Sequence, residues 1–124
     1  MKDTSAKSTQ TSYKPFLQKF NNYCKKDGFP DIKDLCLVKK VRGKLILDSV
    51  AEDAILGFFM DLIHQLKHGK LKWGEKSARA MVQAIQYLIR RFMNQHFKNE
   101  DEHFFKEKIW HFAAVREFLK EVID

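Results

Sequence analysis

Between residues 49 and 97 the apolar side chains return every three or four positions, and no other feature of the sequence limits the fold as tightly. The period predicts two amphipathic helices. In the first, Ala51, Ile55, Phe58, Phe59, Leu62 and Leu66 share one face, opposite Asp53, Gly57, Asp61, His64 and His68. Ser49-Val50-Ala51-Glu52 matches a capping box, the Ser49 hydroxyl accepting from an orphan amide while Glu52 reaches back, and Gly69 is the stop. In the second, over 75–97, Ala78, Met81, Ile85, Leu88 and Phe92 form a seam, with Arg79, Gln83, Gln86, Arg90 and Asn94 outside. The two helices are joined by a short basic turn from His68 to Glu75, HGKLKWGE, in which Trp73 reads as exposed.

The flanking segments extend the pattern. Residues 1–12 are polar and read as a disordered tail, leaving 13–124 as one domain. A helix is expected from Lys14 to Lys26, with Pro15 in its first turn, Phe16, Phe20 and Tyr23 on its apolar face and Gly28 as its left-handed cap. The stretch 31–47 has an ambiguous period. Residues 32–39 are assigned to helix, and the alternative is a hairpin of Leu35–Val41 with Lys44–Leu47 across Arg42-Gly43. A last helix is expected from Asn99, with Glu102 completing its cap and Phe105, Ile109, Phe112, Leu119 and Ile123 as its buried stripe. With only five Gly and two Pro among 124 residues, and 11 Phe to fill a core, the expected class is all-α. The expected fold is an antiparallel four-helix bundle or an irregular small helical domain, with the short hairpin in 35–47 as the one β option.

The net charge of +7 is unevenly spread: residues 100–124 hold seven acids against four bases, a balance of −3, so the rest carries +10. Such a layout suits an acidic protein surface or a nucleic-acid backbone. The apolar runs are too short to span a bilayer, no secretory h-region is visible, and Cys24 and Cys36 match no metal spacing. The expectation is a cytoplasmic protein with reduced thiols, no membrane association, and no metal or cofactor. Its oligomeric state stays open, a homodimer included.

Three fragments resemble motifs of catalytic or metal-binding families. His64-Gln65-Leu66-Lys67, with Gly74 ten residues after the histidine, resembles the histidine-phosphotransfer domain; the resemblance implies His64 as phospho-acceptor and Lys67 steadying the phosphate. His68 stands where that motif carries glycine. Arg91 and His96 resemble the R-x4–6-H motif of HEPN ribonucleases, which implies a dimeric helical nuclease that polarises a phosphate and moves a proton. On a regular helix those two side chains point apart, with His96 toward the core seam. The pairs His64/His68 and His103/Glu107, each one turn apart, resemble haemerythrin-like di-iron sites, in reversed chain order.

The basic residues themselves make the simplest site. Lys67, Lys70, Lys72, Lys76 and Arg79 surround Trp73, and Lys39, Lys40, Arg42 and Lys44 extend the same patch. Lysines neutralise phosphates or carboxylates, and an exposed tryptophan can stack or dock. The expected function is a non-catalytic basic binding module, a small adaptor or subunit, meeting an acidic partner through one contiguous surface.

Overall fold

The computed structural model describes residues 4–98 and 108–123, with side chains from Ser12 in the first segment and from Ile109 in the second. These residues form α1 (Thr4–Lys26), β1 (Val38–Val41), β2 (Lys44–Leu47), α2 (Ser49–Lys67), α3 (Glu75–His96), α4 (Lys108–His111) and α5 (Ala113–Ile123). The molecule is therefore mostly helical, with one small antiparallel hairpin. None of its described helices is long and apolar enough to cross a membrane.

The core follows the periodicity of α2 and α3. Ala51, Ile55, Phe58, Phe59 and Leu62 are buried as expected, and so are Ala78, Met81, Ile85 and Leu88. Leu66 and Phe92, at the ends of the two seams, are half-buried. Both helices contact α1 and α5. Aromatic rings link three of the layers: Phe20 meets Phe58 at 5.1 Å between centroids, Phe58 meets Phe59 at 5.6 Å, and Phe59 meets Phe118 at 5.2 Å. Each fully buried Phe contributes about 1.5–3 kcal/mol of transfer free energy, which makes this chain the centre of the fold's stability. Gly57, expected on the polar face, instead lies under the Tyr23 hydroxyl, where a Cβ would collide.

Several boundaries are corrected. The first helix begins at Thr4 rather than Lys14, because nothing between 4 and 14 is Gly or Pro. Pro15 is thus interior and forgoes one helical hydrogen bond. Residues 32–39 are not helical, and the hairpin alternative is what forms. Val38 pairs with Leu47 and Val41 with Lys44, across Arg42 and Gly43 at φ of 52° and 77°. Two consecutive left-handed residues define the tight hairpin turn whose twist matches its strands. Leu35, Leu37, Val38 and Leu45 bury the hairpin's apolar side.

Ahead of the hairpin, Asn21 of α1 anchors the chain. Its amide carbonyl accepts from Ile32 N–H at 3.0 Å, and its Nδ2 donates to Asp31 at 3.4 Å. The Lys33 N–H donated to Asp31, with Asn21 and Lys25 beside it, holds that carboxyl below its ordinary range. Burial pushes the neighbouring Cys24 thiol up to about 11, helped by the Asp31 charge. Burial, and then the bond donated to Asp27, push the Tyr23 hydroxyl up to about 12.

The cap of α2 is Asp48, not Ser49. Asp48 takes the extended conformation an N-cap needs and accepts from Val50 N–H at 3.1 Å. The C-terminal stops at Gly28 and Gly69 are as expected: both are left-handed, and the following Phe29 and Lys70 N–H groups bond back to Cys24 and Gln65.

The last helix is interrupted. Phe112 N–H bonds to Ile109 O at 3.1 Å, and a new helix starts beyond it. That break resets the helical phase. The buried residues become Ile109, Ala114, Val115 and Phe118, while Leu119 is half-buried and Ile123 is exposed. Asn99, Glu102 and Phe105, assigned to the same helix, lie outside the described residues.

Candidate functional site

The turn between α2 and α3 is ordered by backbone bonds. After Gly69, the Lys70 and Leu71 N–H groups both bond to Gln65 O, at 2.8 and 3.2 Å. From there the chain has no regular secondary structure, and burial alternates from residue to residue. Leu71 and Trp73 turn inward and are half-buried against the core, while Lys70 and Lys72 are exposed. Lys67 and Lys76 are exposed on either side. Arg79 is also exposed, but its guanidinium is tied to Glu75 at 2.9 Å.

Trp73 does not stand out from this turn. Its ring meets Phe16 of α1 edge-on at 5.7 Å and Phe118 of α5 at 6.2 Å, and the Lys19 ammonium sits over it at 5.7 Å from the centroid. The expected docking tryptophan is therefore a packing residue, wedged between two helices and capped by a cation.

The second basic group sits elsewhere. Lys40, Arg42 and Lys44 are exposed on the hairpin, and Lys39 is half-buried with its ammonium 3.8 Å from Asp48. The hairpin feeds directly into the N-terminus of α2, whereas the turn leaves its C-terminus. The 19 residues of α2 separate them by about 28 Å at a rise of about 1.5 Å per residue. The expected single surface is thus two surfaces at opposite ends of one helix.

The motif fragments have plain positions. His64 is exposed, as its polar face predicted, and His68 lies against it at 4.1 Å between ring centroids, with His68 Nδ1 2.9 Å from His64 O. His96 is exposed and stacks on Phe92 at 4.2 Å, not turned toward the core seam. It borders a cleft of about 240 Å³ that Arg91 and Lys33 also line. Among the described residues no three His, Cys, Asp or Glu side chains gather as a metal site, and His103 and Glu107 lie outside them.

One concave surface was missed. Along the C-terminal half of α3, Tyr87, Arg90, Arg91, Asn94, Gln95 and Lys98 line an open depression of about 440 Å³. A second, of about 360 Å³, continues from Tyr87 and Arg90 to Tyr13, Gln83, Gln86 and Trp110. Gln86, expected outside, is in fact only 9% exposed. The available signal was the recurrence of Tyr87, Arg91, Asn94 and Lys98 at helical spacing, which gathers them on one stripe. No known protein family, curated protein or solved structure matches the chain.

Proposed function

We propose that the protein is a non-catalytic helical binding module, a small cytoplasmic adaptor or subunit whose lysine-bearing turn docks on an acidic protein surface. A four-helix bundle of α1, α2, α3 and α5 is the proposed scaffold; the contacts of α2 and α3 with both α1 and α5 support it. The observation that carries the function is the alternation at 70–73, which presents Lys70 and Lys72 beside Lys67 and Lys76 while Leu71 and Trp73 hold the backbone down. With Trp73 engaged by Phe16, Phe118 and Lys19, the turn offers ammonium groups and no stacking platform. That favours carboxylates on a protein surface over unpaired bases.

The test is binding of immobilised poly-glutamate by the full chain over a salt series. The wild type binds at low salt and releases as salt rises. Lys70→Glu/Lys72→Glu/Lys76→Glu abolishes binding, and Lys40→Glu/Arg42→Glu/Lys44→Glu leaves most of it. Equal loss in both variants would mean that net charge, not the turn, is recognised.

A further inference from the structure

The groove along α3 differs in kind from either basic end. Tyr13, Tyr87 and Trp110 border one depression, with the two tyrosine rings 5.2 Å apart at an interplanar angle of 51°. Gln83, exposed at the same place, adds an amide donor and acceptor. Past Tyr87 the surface turns cationic. Arg91 and Lys98 are exposed and form no ion pair among the described residues, and Asn94 and Gln95 stand beside them. No acidic side chain among the described residues lines either depression. Each volume falls in the range of small-ligand sites, about 300–1,000 Å³. Tyr87 to Gln95 covers about 12 Å of helix axis, the reach of a few nucleotides.

We infer that this groove binds single-stranded nucleic acid, one base lodging among Tyr13, Tyr87 and Trp110 while the adjoining phosphates follow Arg91 and Lys98. Aromatic faces accept any unpaired base, the amides meet base edges, and the cations exchange counterions for phosphates. A duplex keeps its bases stacked inside and cannot offer one to the tyrosines. Tyr13 and Trp110 also pack on the core, but the ring surface they and Tyr87 leave on the depression is flat and apolar, which an acidic peptide's carboxylates would not use and a base would. The site is separate from the turn proposed to meet protein, so either can fail alone.

The experiment uses the full chain and fluorescein-labelled twelve-nucleotide oligo-U and oligo-dT, read by anisotropy. The wild type binds both single strands, and a duplex of the same length binds at least tenfold more weakly. Tyr87→Ala weakens binding by about tenfold, within the range for loss of one stacked base. Arg91→Ala/Lys98→Ala lowers the log–log salt slope by about 1 to 2. Lys70→Glu/Lys72→Glu/Lys76→Glu leaves the affinity within about threefold. Circular dichroism melts confirm that each variant is folded. A second readout is the fluorescence of Trp110 in a Trp73→Phe chain, quenched on binding by a base stacked there. The proposal is overturned by any of three results: no binding at low salt, binding unaffected by Tyr87→Ala and Arg91→Ala/Lys98→Ala, or displacement of the oligonucleotide by equimolar poly-glutamate.

Discussion

The turn after α2 and the groove along α3 both concentrate positive charge, yet they are assembled in opposite ways. In the turn the cations are neighbours in the chain, and their aromatic companion is consumed by the fold: Trp73 lies between Phe16 and Phe118. In the groove Arg90, Arg91 and Lys98 span about two helical turns at the C-terminal end of α3, and the half-buried aromatics beside them border open depressions. Adjacency in sequence therefore produced a charged surface with no pocket, and helical periodicity produced a pocket that a linear scan passes over. A tryptophan among lysines is a weak sign of exposure, because neighbours in a turn face opposite ways: Leu71 and Trp73 are half-buried between the exposed Lys70 and Lys72.

The largest expected effect tests that assignment of the two tryptophans. Trp73→Ala should destabilise the fold by about 2–4 kcal/mol in urea unfolding, since it empties a space between α1 and α5. Trp110 is half-buried on the same core but has no ring partner among the described residues, so Trp110→Ala should cost clearly less than Trp73→Ala and also weaken oligonucleotide binding. Equal destabilisation would remove the distinction between a tryptophan held by other rings and one that borders a depression.

The same contrast exists in the glycines. Gly57→Ala should cost about 1–3 kcal/mol, because the new methyl displaces Tyr23 from its contacts with Phe29 and Phe58. Gly74, at the end of the turn, faces open space and caps α3 without a side-chain bond. Gly74→Ser should stabilise by a few tenths of a kcal/mol, the smallest of these effects.

Between those limits lie two titrations that sharpen the buried side of the comparison. Cys24 and Tyr23 have folded values raised to about 11 and about 12. Their contribution is complete below the unfolded values of about 9 and 10 and is lost as pH rises toward the folded ones, so thermal stability should fall from about pH 9 upward. Asp31 has the opposite sign: its stabilisation is present above the ordinary carboxylate range and fades as pH falls through it. A flat melting temperature over either window would contradict the environments described. In the native state Cys36 should react with a thiol reagent at once, and Cys24 only on unfolding, since the first is exposed and the second buried.

Much of the fold was legible where the information is local. The faces of α2 and α3 follow from their period, the stops at Gly28 and Gly69 from the left-handed backbone, and the Arg42-Gly43 turn from a dipeptide that fits one of the two patterns of 31–47. What escaped depends on tertiary placement or on one-residue phase. Asp48 and Ser49 are both good caps, and only the backbone angle decides between them. The break at Phe112 moves the buried stripe of the last helix from Leu119 to Phe118. Gln86 lies on the outside of an isolated helix and is enclosed only once other elements pack around it. For the candidate sites, every cation of the turn was legible, and neither its distance from the hairpin nor the groove on α3 was.

Leu71 and Trp73 have a further consequence through their grip on the connection between α2 and α3. The lysines alternating with them ride on backbone that is already fixed before any partner arrives. An encounter at this end of the molecule then restricts a few long side chains and no main-chain torsions, which at about 1–2 kcal/mol per residue is a large saving in entropy. Such a loop behaves as a rigid comb of charges rather than a tether, and favours a partner whose carboxylates are held at a matching spacing.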